Sequence, residues 1–182
     1  MLGGYMGRVL WVDLSTGKLT DQRLDDETCR DYIGGYGIGM RLIYDNQQAG
    51  LDPLGPESIV AFGTGPLTGS PAVIGSRFTV MGKSPVSGTW GDANSGGYFG
   101  PALKRAGYDM VFFKGQSETP VYLAIDHGHA ELRGASELWG MTTYDVDSTL
   151  KGLFGRNEQV ACIGPAGERG SLISCIIHDR GR

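Results

Sequence analysis

The amino-acid sequence predicts a mixed α+β domain that is rich in antiparallel strands. Short runs of apolar, β-branched and aromatic residues recur between turns that contain Gly or Pro, as at residues 109–114 (DMVFFK) and 121–125 (VYLAI). Such runs are typical of strands. Only a few segments repeat apolar residues at helical spacing, for example residues 143–154. Strands mostly follow strands instead of alternating with helices, which favours antiparallel pairing.

The predicted elements follow from local signals along the chain. Alternating residues on both sides of a turn at Gly17 predict an opening hairpin. Asp25 or Asp26 is expected to cap the first helix, which Gly34 ends, and Pro101 suits the first turn of a later helix. In chain order, strands are predicted at 8–14, 19–24, 58–63, 77–82, 88–93, 109–114, 121–125, 130–133, 159–163 and 171–177, and helices at 27–33, 40–45, 98–106 and 143–154.

Two glycine motifs fail the tests for known nucleotide sites. Gly35, Gly37 and Gly39 follow a predicted helix with G-x-G-x-G spacing, whereas a dinucleotide fingerprint needs G-x-G-x-x-G after a strand. Residues 82–84 (GKS) look like the end of a P-loop, but Arg77 stands where that loop needs its first Gly. The sequence therefore argues against both classes of nucleotide site.

Glycines are densest between residues 63 and 109. The chain holds 31 glycines in 182 residues, which is more than twice the usual share of about 7%. Gly lets the backbone approach a ligand closely, and Arg77, Lys83, Asn94 and Ser95 lie in the same stretch. The stretch therefore suggests a surface for a flat or phosphorylated ligand. Asn94 or Ser95 is also a candidate cap of the following helix. A loop-rich β domain whose glycines only make turns is the alternative.

Composition and charge exclude several classes of protein. The net charge of −4 is spread without long runs, so there is no nucleic-acid footprint, and no apolar stretch is long enough to predict a membrane span. Cys29, Cys162 and Cys175 form no C-x-x-C pair, which predicts a reducing cytoplasm, and the last two are expected in strand cores. His127 and His129 flank a Gly in a turn, where solvated side chains are favoured over a metal site.

Three segments resemble the amino-terminal domain of the aldehyde ferredoxin oxidoreductase family: GPLTGSPAVIGSRFTV, KSPVSGTWGDANSGGYFGPALKRAGYD and IGPAGERGSLISCIIHDRGR. The similarity begins in the first hairpin, GRVLWVDLSTGKL, and continues to Arg182, so it covers essentially the whole chain. It implies one domain over residues 1–182. That domain is a β-rich base for a cofactor, with mixed, largely antiparallel sheets, a few helices and an internal pseudo-twofold.

The resemblance also implies the cofactors and the residues that bind them. Family members oxidise aldehydes to carboxylic acids, or run the reverse reaction, at tungsten or sometimes molybdenum held by two pyranopterins. The phosphates of these pyranopterins meet at a magnesium ion. The cofactor-binding residues implied here are Arg77, Asn94, Ser95, Gly96, Gly97 and Arg182. Among them, Asn94 is implied to help hold the magnesium through its main-chain carbonyl.

Elementary chemistry agrees with these implied roles. Arg offers a planar fork that suits phosphate oxygens, and Mg²⁺ prefers carbonyl, phosphate and water oxygens to Cys or His. Simpler alternatives exist for two of the residues. Arg77 is alternatively a surface ion-pair partner, and Asn94 a turn residue with positive φ.

Members of the family are several times longer than this chain. Their later helical domains carry a 4Fe-4S cluster, further pterin loops and the acid and base groups of the substrate cavity, so no catalytic residue is predicted here. We interpret the chain as a fragment, a truncated product or one part of a split enzyme. Such a base is expected to expose apolar surface, which predicts either a partner chain or poor solubility.

The resemblance also implies partners for the chain, and two alternative functions stay open. The partners are the remainder of the enzyme, ferredoxin or another iron–sulfur electron carrier, and a small aldehyde. One alternative is the active-site subunit of a related tungsten reductase that acts on aromatic acyl-CoA thioesters. The other is a non-enzymatic scaffold module that keeps the fold and has lost the chemistry.

Overall fold

The computed structural model describes residues 3–181 of the chain. Its strands are β1 (Arg8–Asp13), β2 (Lys18–Arg23), β3 (Val60–Thr64), β4 (Phe78–Lys83), β5 (Trp90–Ser95), β6 (Met110–Lys114), β7 (Val121–Asp126), β8 (His129–Gly134), β9 (Ala161–Cys162) and β10 (Ile177–His178). Its helices are α1 (Asp26–Tyr32), α2 (Tyr36–Asn46), α3 (Phe99–Arg105), α4 (Thr143–Phe154) and α5 (Pro165–Glu168), with a 3-10 helix at Ser136–Leu138. The predicted α+β class is confirmed.

Six of the strands form one sheet in the order β2-β1-β6-β3-β4-β5. β1 and β6 are parallel, and the other neighbours in this sheet are antiparallel. β7 pairs with β8, and β9 with β10, in two separate antiparallel sheets. The sheets are thus mixed and largely antiparallel, as expected. The internal pseudo-twofold stays a prediction, since residues 3–181 contain a single large sheet.

One face of the large sheet is covered by α1 and α2. Successive side chains of a strand point to opposite faces, and this face receives Val9, Ala61 and Phe112, which are fully buried. They pack in one cluster with Ile38 and Leu42 of α2. Burying a large apolar side chain contributes about 1.5–3 kcal/mol, so this cluster stabilises the packing of α2 on the sheet.

The opposite face of the sheet is covered by α3 and by the β7–β8 hairpin. Leu10, Val12 and Val111 are buried on this side together with Leu103 of α3. Leu123 of β7 packs against the same cluster but is only half-buried. The sheet is therefore covered on both sides, and less completely on the side of the hairpin.

A buried ion pair connects the first residues of the chain to this sheet. Lys104 Nζ lies 2.6 Å from Asp109 Oδ1, and the two side chains are 9% and 2% exposed. Asp109 Oδ2 accepts a hydrogen bond from the backbone N–H of Gly7 at 2.7 Å, and Lys104 donates to the carbonyl of Gly65 at 3.0 Å. Because both charges are paired and hydrogen-bonded, the interior can hold them.

Most of the predicted elements are confirmed. The opening hairpin is β1–β2, and the helix predicted over residues 143–154 is α4. Asp25 caps α1 by accepting a hydrogen bond from the backbone N–H of Thr28 at 2.6 Å. Pro101 lies in the first turn of α3, where its missing N–H costs no hydrogen bond.

The start of α2 was predicted wrongly. The helix begins at Tyr36 and not at residue 40, so it includes two of the glycines that were expected to precede it. A Cβ at Gly37 would overlap the carbonyl of Tyr32, and a Cβ at Gly39 would overlap the side chain of Met81. These glycines serve close packing of α2 against α1 and the sheet, which outweighs their low helix propensity.

The predictions near the end of the chain were also partly wrong. Of the strand predicted over residues 171–177, only Ile177–His178 is present, because residues 171–176 pair with no strand in the described part of the chain. Cys175 is exposed and Cys162 is half-buried, so Cys175 is not the core residue that was predicted. Between β9 and β10, residues 165–168 form α5, where no helix was predicted. No helix within residues 3–181 is long and apolar enough to cross a membrane.

Candidate functional site

Arg77 and Asn94 meet at one end of the β4–β5 pair. Arg77 immediately precedes β4, and Asn94 lies in β5 opposite Thr79. Arg77 Nη1 donates a hydrogen bond to Asn94 Oδ1 at 2.7 Å. The prediction that Asn94 belongs to a turn is wrong, because it is the penultimate residue of the strand. Its side chain fixes the direction of the exposed Arg77 guanidinium.

Tyr36 adds a contact that sequence reasoning missed. Asn94 Nδ2 donates to the phenol oxygen of Tyr36 at 3.2 Å, so the amide is held from both sides. The pKa of the Tyr36 phenol is raised. Burial is the largest cause, the hydrogen bond from Asn94 lowers the pKa, and neighbouring Asp92 raises it further. The phenol therefore stays protonated at neutral pH. The only signal in the sequence was a polar aromatic residue between Gly35 and Gly37.

Ser95 points to the opposite side of the sheet from Asn94, as the alternation of a strand requires. Its Oγ lies 2.9 Å from His178 Nε2. His178 is 3% exposed and packs edge-on against Phe78, with ring centroids 4.9 Å apart. Sequence reasoning assigned no role to His178, although it lies in one of the segments that carry the resemblance.

Gly96 and Gly97 form the turn between β5 and α3. Gly97 has φ of 90°, and a Cβ there would overlap the carboxylate of Asp179. Asp179 Oδ2 accepts a hydrogen bond from the backbone N–H of Tyr98 at 2.6 Å. The predicted capping by Asn94 or Ser95 is therefore wrong: α3 makes no side-chain cap of its own, and Asp179 contacts its first turn instead.

The structure brings together five of the six residues that were predicted to bind a cofactor. Arg77 and Asn94 are hydrogen-bonded, and Ser95, Gly96 and Gly97 follow directly along the chain. The sixth, Arg182, lies outside the described residues. The roles of all six stay predictions.

The residues at this end of the sheet fit a phosphate better than a metal held by side chains. Arg77 is exposed, spends one N–H on Asn94, and forms no ion pair with a carboxylate within residues 3–181. A Cβ at Gly96 would meet only Ser76 Oγ, at 3.6 Å, so the backbone there is open to close approach. In the same part of the chain, no three His, Cys, Asp or Glu side chains could hold a metal. A magnesium ion would need carbonyl and phosphate oxygens.

Among solved structures, the chain is similar to the active-site complex of benzoyl coenzyme A reductase bound to 1,5-dienoyl-CoA. The TM-score is 0.94 and the identity 32%, and the match covers 100% of this chain and 29% of that chain. This likeness and the observed architecture define the chain as an α+β domain that shares its fold with part of that active-site complex.

Curated relatives specify the family. The chain is 41% identical over 177 residues to the tungsten-containing aldehyde ferredoxin oxidoreductase of Thermococcus kodakarensis, and 39% identical to that of Pyrococcus furiosus. It is 35% identical over 150 residues to the WOR-like subunit of the aliphatic sulfonate oxidoreductase of Pyrococcus furiosus. Residues 9–182 match the family described as aldehyde ferredoxin oxidoreductase, N-terminal domain. The chain belongs to this family, and it spans 29% of the length of the two aldehyde ferredoxin oxidoreductases.

Proposed function

We propose that residues 1–182 form the cofactor base of a tungsten enzyme that oxidises aldehydes to carboxylic acids or runs the reverse reaction. The single observation that carries this proposal is the exposed Arg77 guanidinium, held by Asn94 beside the Gly96–Gly97 turn, in a chain of the aldehyde ferredoxin oxidoreductase family. A cationic fork next to an open backbone suits a phosphorylated cofactor. When bound, the tungsten centre supplies the redox chemistry.

In this proposal, each residue of the site has a separate task toward a bis-pyranopterin. Arg77 donates to a phosphate oxygen, and the side chain of Asn94 keeps the guanidinium in place. The main-chain carbonyl of Asn94 would supply an oxygen ligand for a magnesium ion, which would offset the charge of the phosphates. Ser95, Gly96 and Gly97 let the backbone approach the cofactor. Arg182 is proposed as a second phosphate contact.

The remaining parts of the reaction are proposed to lie outside residues 1–182. No side chain of this chain is assigned a catalytic role, and the 4Fe-4S cluster is expected on later domains or a partner chain. Electrons would pass through that cluster to ferredoxin or a similar carrier. The substrate is proposed to be a small aldehyde, the metal tungsten or molybdenum, and the location the cytoplasm.

Cofactor content tests the proposed role of Arg77. In protein purified anaerobically, Arg77→Ala should lower the pterin bound per chain about tenfold or more, since a charge-assisted contact to phosphate is lost. Arg77→Lys should retain part of it, because Lys keeps the charge without the fork. Arg156→Ala is the control, because Arg156 is also exposed but lies just after α4 and far from Arg77 in the sequence. Equal pterin content in all four proteins would remove the assignment.

A second candidate function is supported by the similarity to benzoyl coenzyme A reductase at TM-score 0.94. The whole enzyme would then reduce an aromatic acyl-CoA thioester at the same kind of cofactor base. Assays of the complete polypeptide with aldehydes and with aromatic thioesters separate the two functions. Protein that carries neither tungsten, molybdenum nor pterin after anaerobic purification would contradict both and indicate a scaffold module.

A further inference from the structure

Residues 177–181 join two parts of the molecule that are otherwise far apart in sequence. β10 pairs with β9, and the residues that follow reach the end of the large sheet. His178 contacts Ser95, and Asp179 contacts the backbone N–H of Tyr98. Arg180 Nε then donates to Asp147 of α4 at 3.1 Å. One short segment therefore touches both the candidate site and α4.

This segment is held in an unfavourable conformation. Asp179 and Arg180 have φ of 47° and 56°, a region that residues other than Gly adopt uncommonly. The Asp179 side chain is 6% exposed, and its Oδ1 has no hydrogen-bond partner within residues 3–181. Both features cost stability. Such costs cluster at functional sites.

We propose that Asp179 is a positioning residue that fixes the Gly96–Gly97 turn of the candidate site. Its carboxylate lies against Gly97 and accepts from the N–H of Tyr98, so it sets the path of the backbone between β5 and α3. This inference rests on the proposed function, since the turn matters for a ligand only if that site binds one. Asp179 is not among the six residues that the family resemblance implies for the site.

His178 supports Asp179 and orients Ser95 at the same time. Its Nδ1 lies 3.1 Å from Asp179 Oδ2, and a carboxylate only accepts hydrogen bonds, so Nδ1 carries the proton. Nε2 of the same ring lies 2.9 Å from Ser95 Oγ, so the imidazole connects the Asp179 carboxylate with the end of β5.

Hydrogen exchange of single amides tests the positioning role without a ligand. In the full chain, Asp179→Ala should speed exchange of the Tyr98 amide about tenfold or more, because its acceptor is lost. Amides of β1 should be unchanged. Asp179→Asn keeps an acceptor oxygen and should restore most of the protection. Asp52→Ala is the matched control, since Asp52 also accepts from a backbone N–H, that of Leu54, in a distant loop.

The outcomes separate this inference from the proposed function. Unchanged exchange of the Tyr98 amide in Asp179→Ala would overturn the positioning role. If Asp179→Ala does not fold, the same measurement is made on Gly97→Ala, whose Cβ would displace the Asp179 carboxylate, and unchanged exchange of the Tyr98 amide would then overturn the inference. Pterin content is the second measurement, and it should fall in Asp179→Ala but not in Asp52→Ala. If Arg77→Ala does not lower the pterin content, the proposed function is rejected, but the exchange result for Asp179 still holds.

Discussion

Residues 3–114, the first region, and residues 115–181, the second region, are stabilised in different ways. The first region contains the whole six-stranded sheet, with a buried cluster on each face and a buried ion pair. The second region contains two two-stranded sheets and α4, and Val146 and Leu150 are its buried apolar side chains. A two-stranded sheet is marginal by itself in water, so the second region depends on contacts with other elements.

Beside the contact of the β7–β8 hairpin with the sheet, the two regions are separated by a cavity. It has a volume of about 860 Å³ and is lined mainly by apolar side chains, including Phe62 and Phe113 of the sheet and Leu123, Leu150 and Phe154 of the second region. Side chains that face such a space lack partners on one side and forfeit part of their packing energy. Most buried apolar side chains therefore belong to the first region, whereas the second region depends more on contacts with other elements.

The largest effect is expected from the buried ion pair of the first region. Asp109→Ala should lower the free energy of unfolding by about 3–5 kcal/mol, because Lys104 is left as an uncompensated buried charge. Urea unfolding followed by circular dichroism measures this. Asp126→Ala, at an exposed position, should change stability by less than about 0.5 kcal/mol. If Asp109→Ala lowers the free energy of unfolding by no more than Asp126→Ala does, the buried ion pair does not stabilise the first region as expected.

A matched pair of leucine truncations compares the two regions directly. Leu10 is 2% exposed within the sheet, and Leu150 is 8% exposed beside the cavity. Buried Leu→Ala changes cost about 2–5 kcal/mol, and the cost rises with the void they leave. We expect Leu10→Ala in the upper half of that range and Leu150→Ala at about 2 kcal/mol or less. Equal losses in the two unfolding curves would contradict the difference between the regions.

Thiol reactivity is expected to show the smallest difference between the two regions, but it reports on single residues. Burial raises the pKa of Cys29 and of Cys162, with smaller contributions from Asp109 and Asp147 respectively, so less of each thiol is the reactive thiolate at a given pH. Cys175 is exposed and should react first with a maleimide at pH 8. Cys162, half-buried in the second region, should follow, and Cys29 should react last because it requires opening of the first region.

The identity of the modified cysteine is read by peptide mass spectrometry at successive times. If opening the second region requires less free energy, mild urea should accelerate modification of Cys162 at lower concentrations than modification of Cys29. Simultaneous modification of Cys29 and Cys162 under all conditions would mean that the two regions unfold as one unit.

Sequence patterns alone determined the local elements and the family. The opening hairpin and α4 were predicted because apolar periodicity and turn residues act between near neighbours in the chain. Arg77, Asn94 and the glycines after it were predicted as site residues from the resemblance to the family, and their roles stay predictions. The predictions for β1, β4 and β6 were close to the observed strands, since these strands are largely buried and their apolar patterns are strong.

Only the tertiary structure decided which distant residues meet. It placed β6 between β1 and β3, and it included Gly37 and Gly39 in a helix because close packing required them. It left residues 171–176 without a strand partner in the described part of the chain, although their apolar pattern predicted a strand. It also brought Asp179 to the backbone of Tyr98, 81 positions away. Periodicity specifies which face of an element is apolar, whereas the partner of that face depends on the free energy of packing the whole chain.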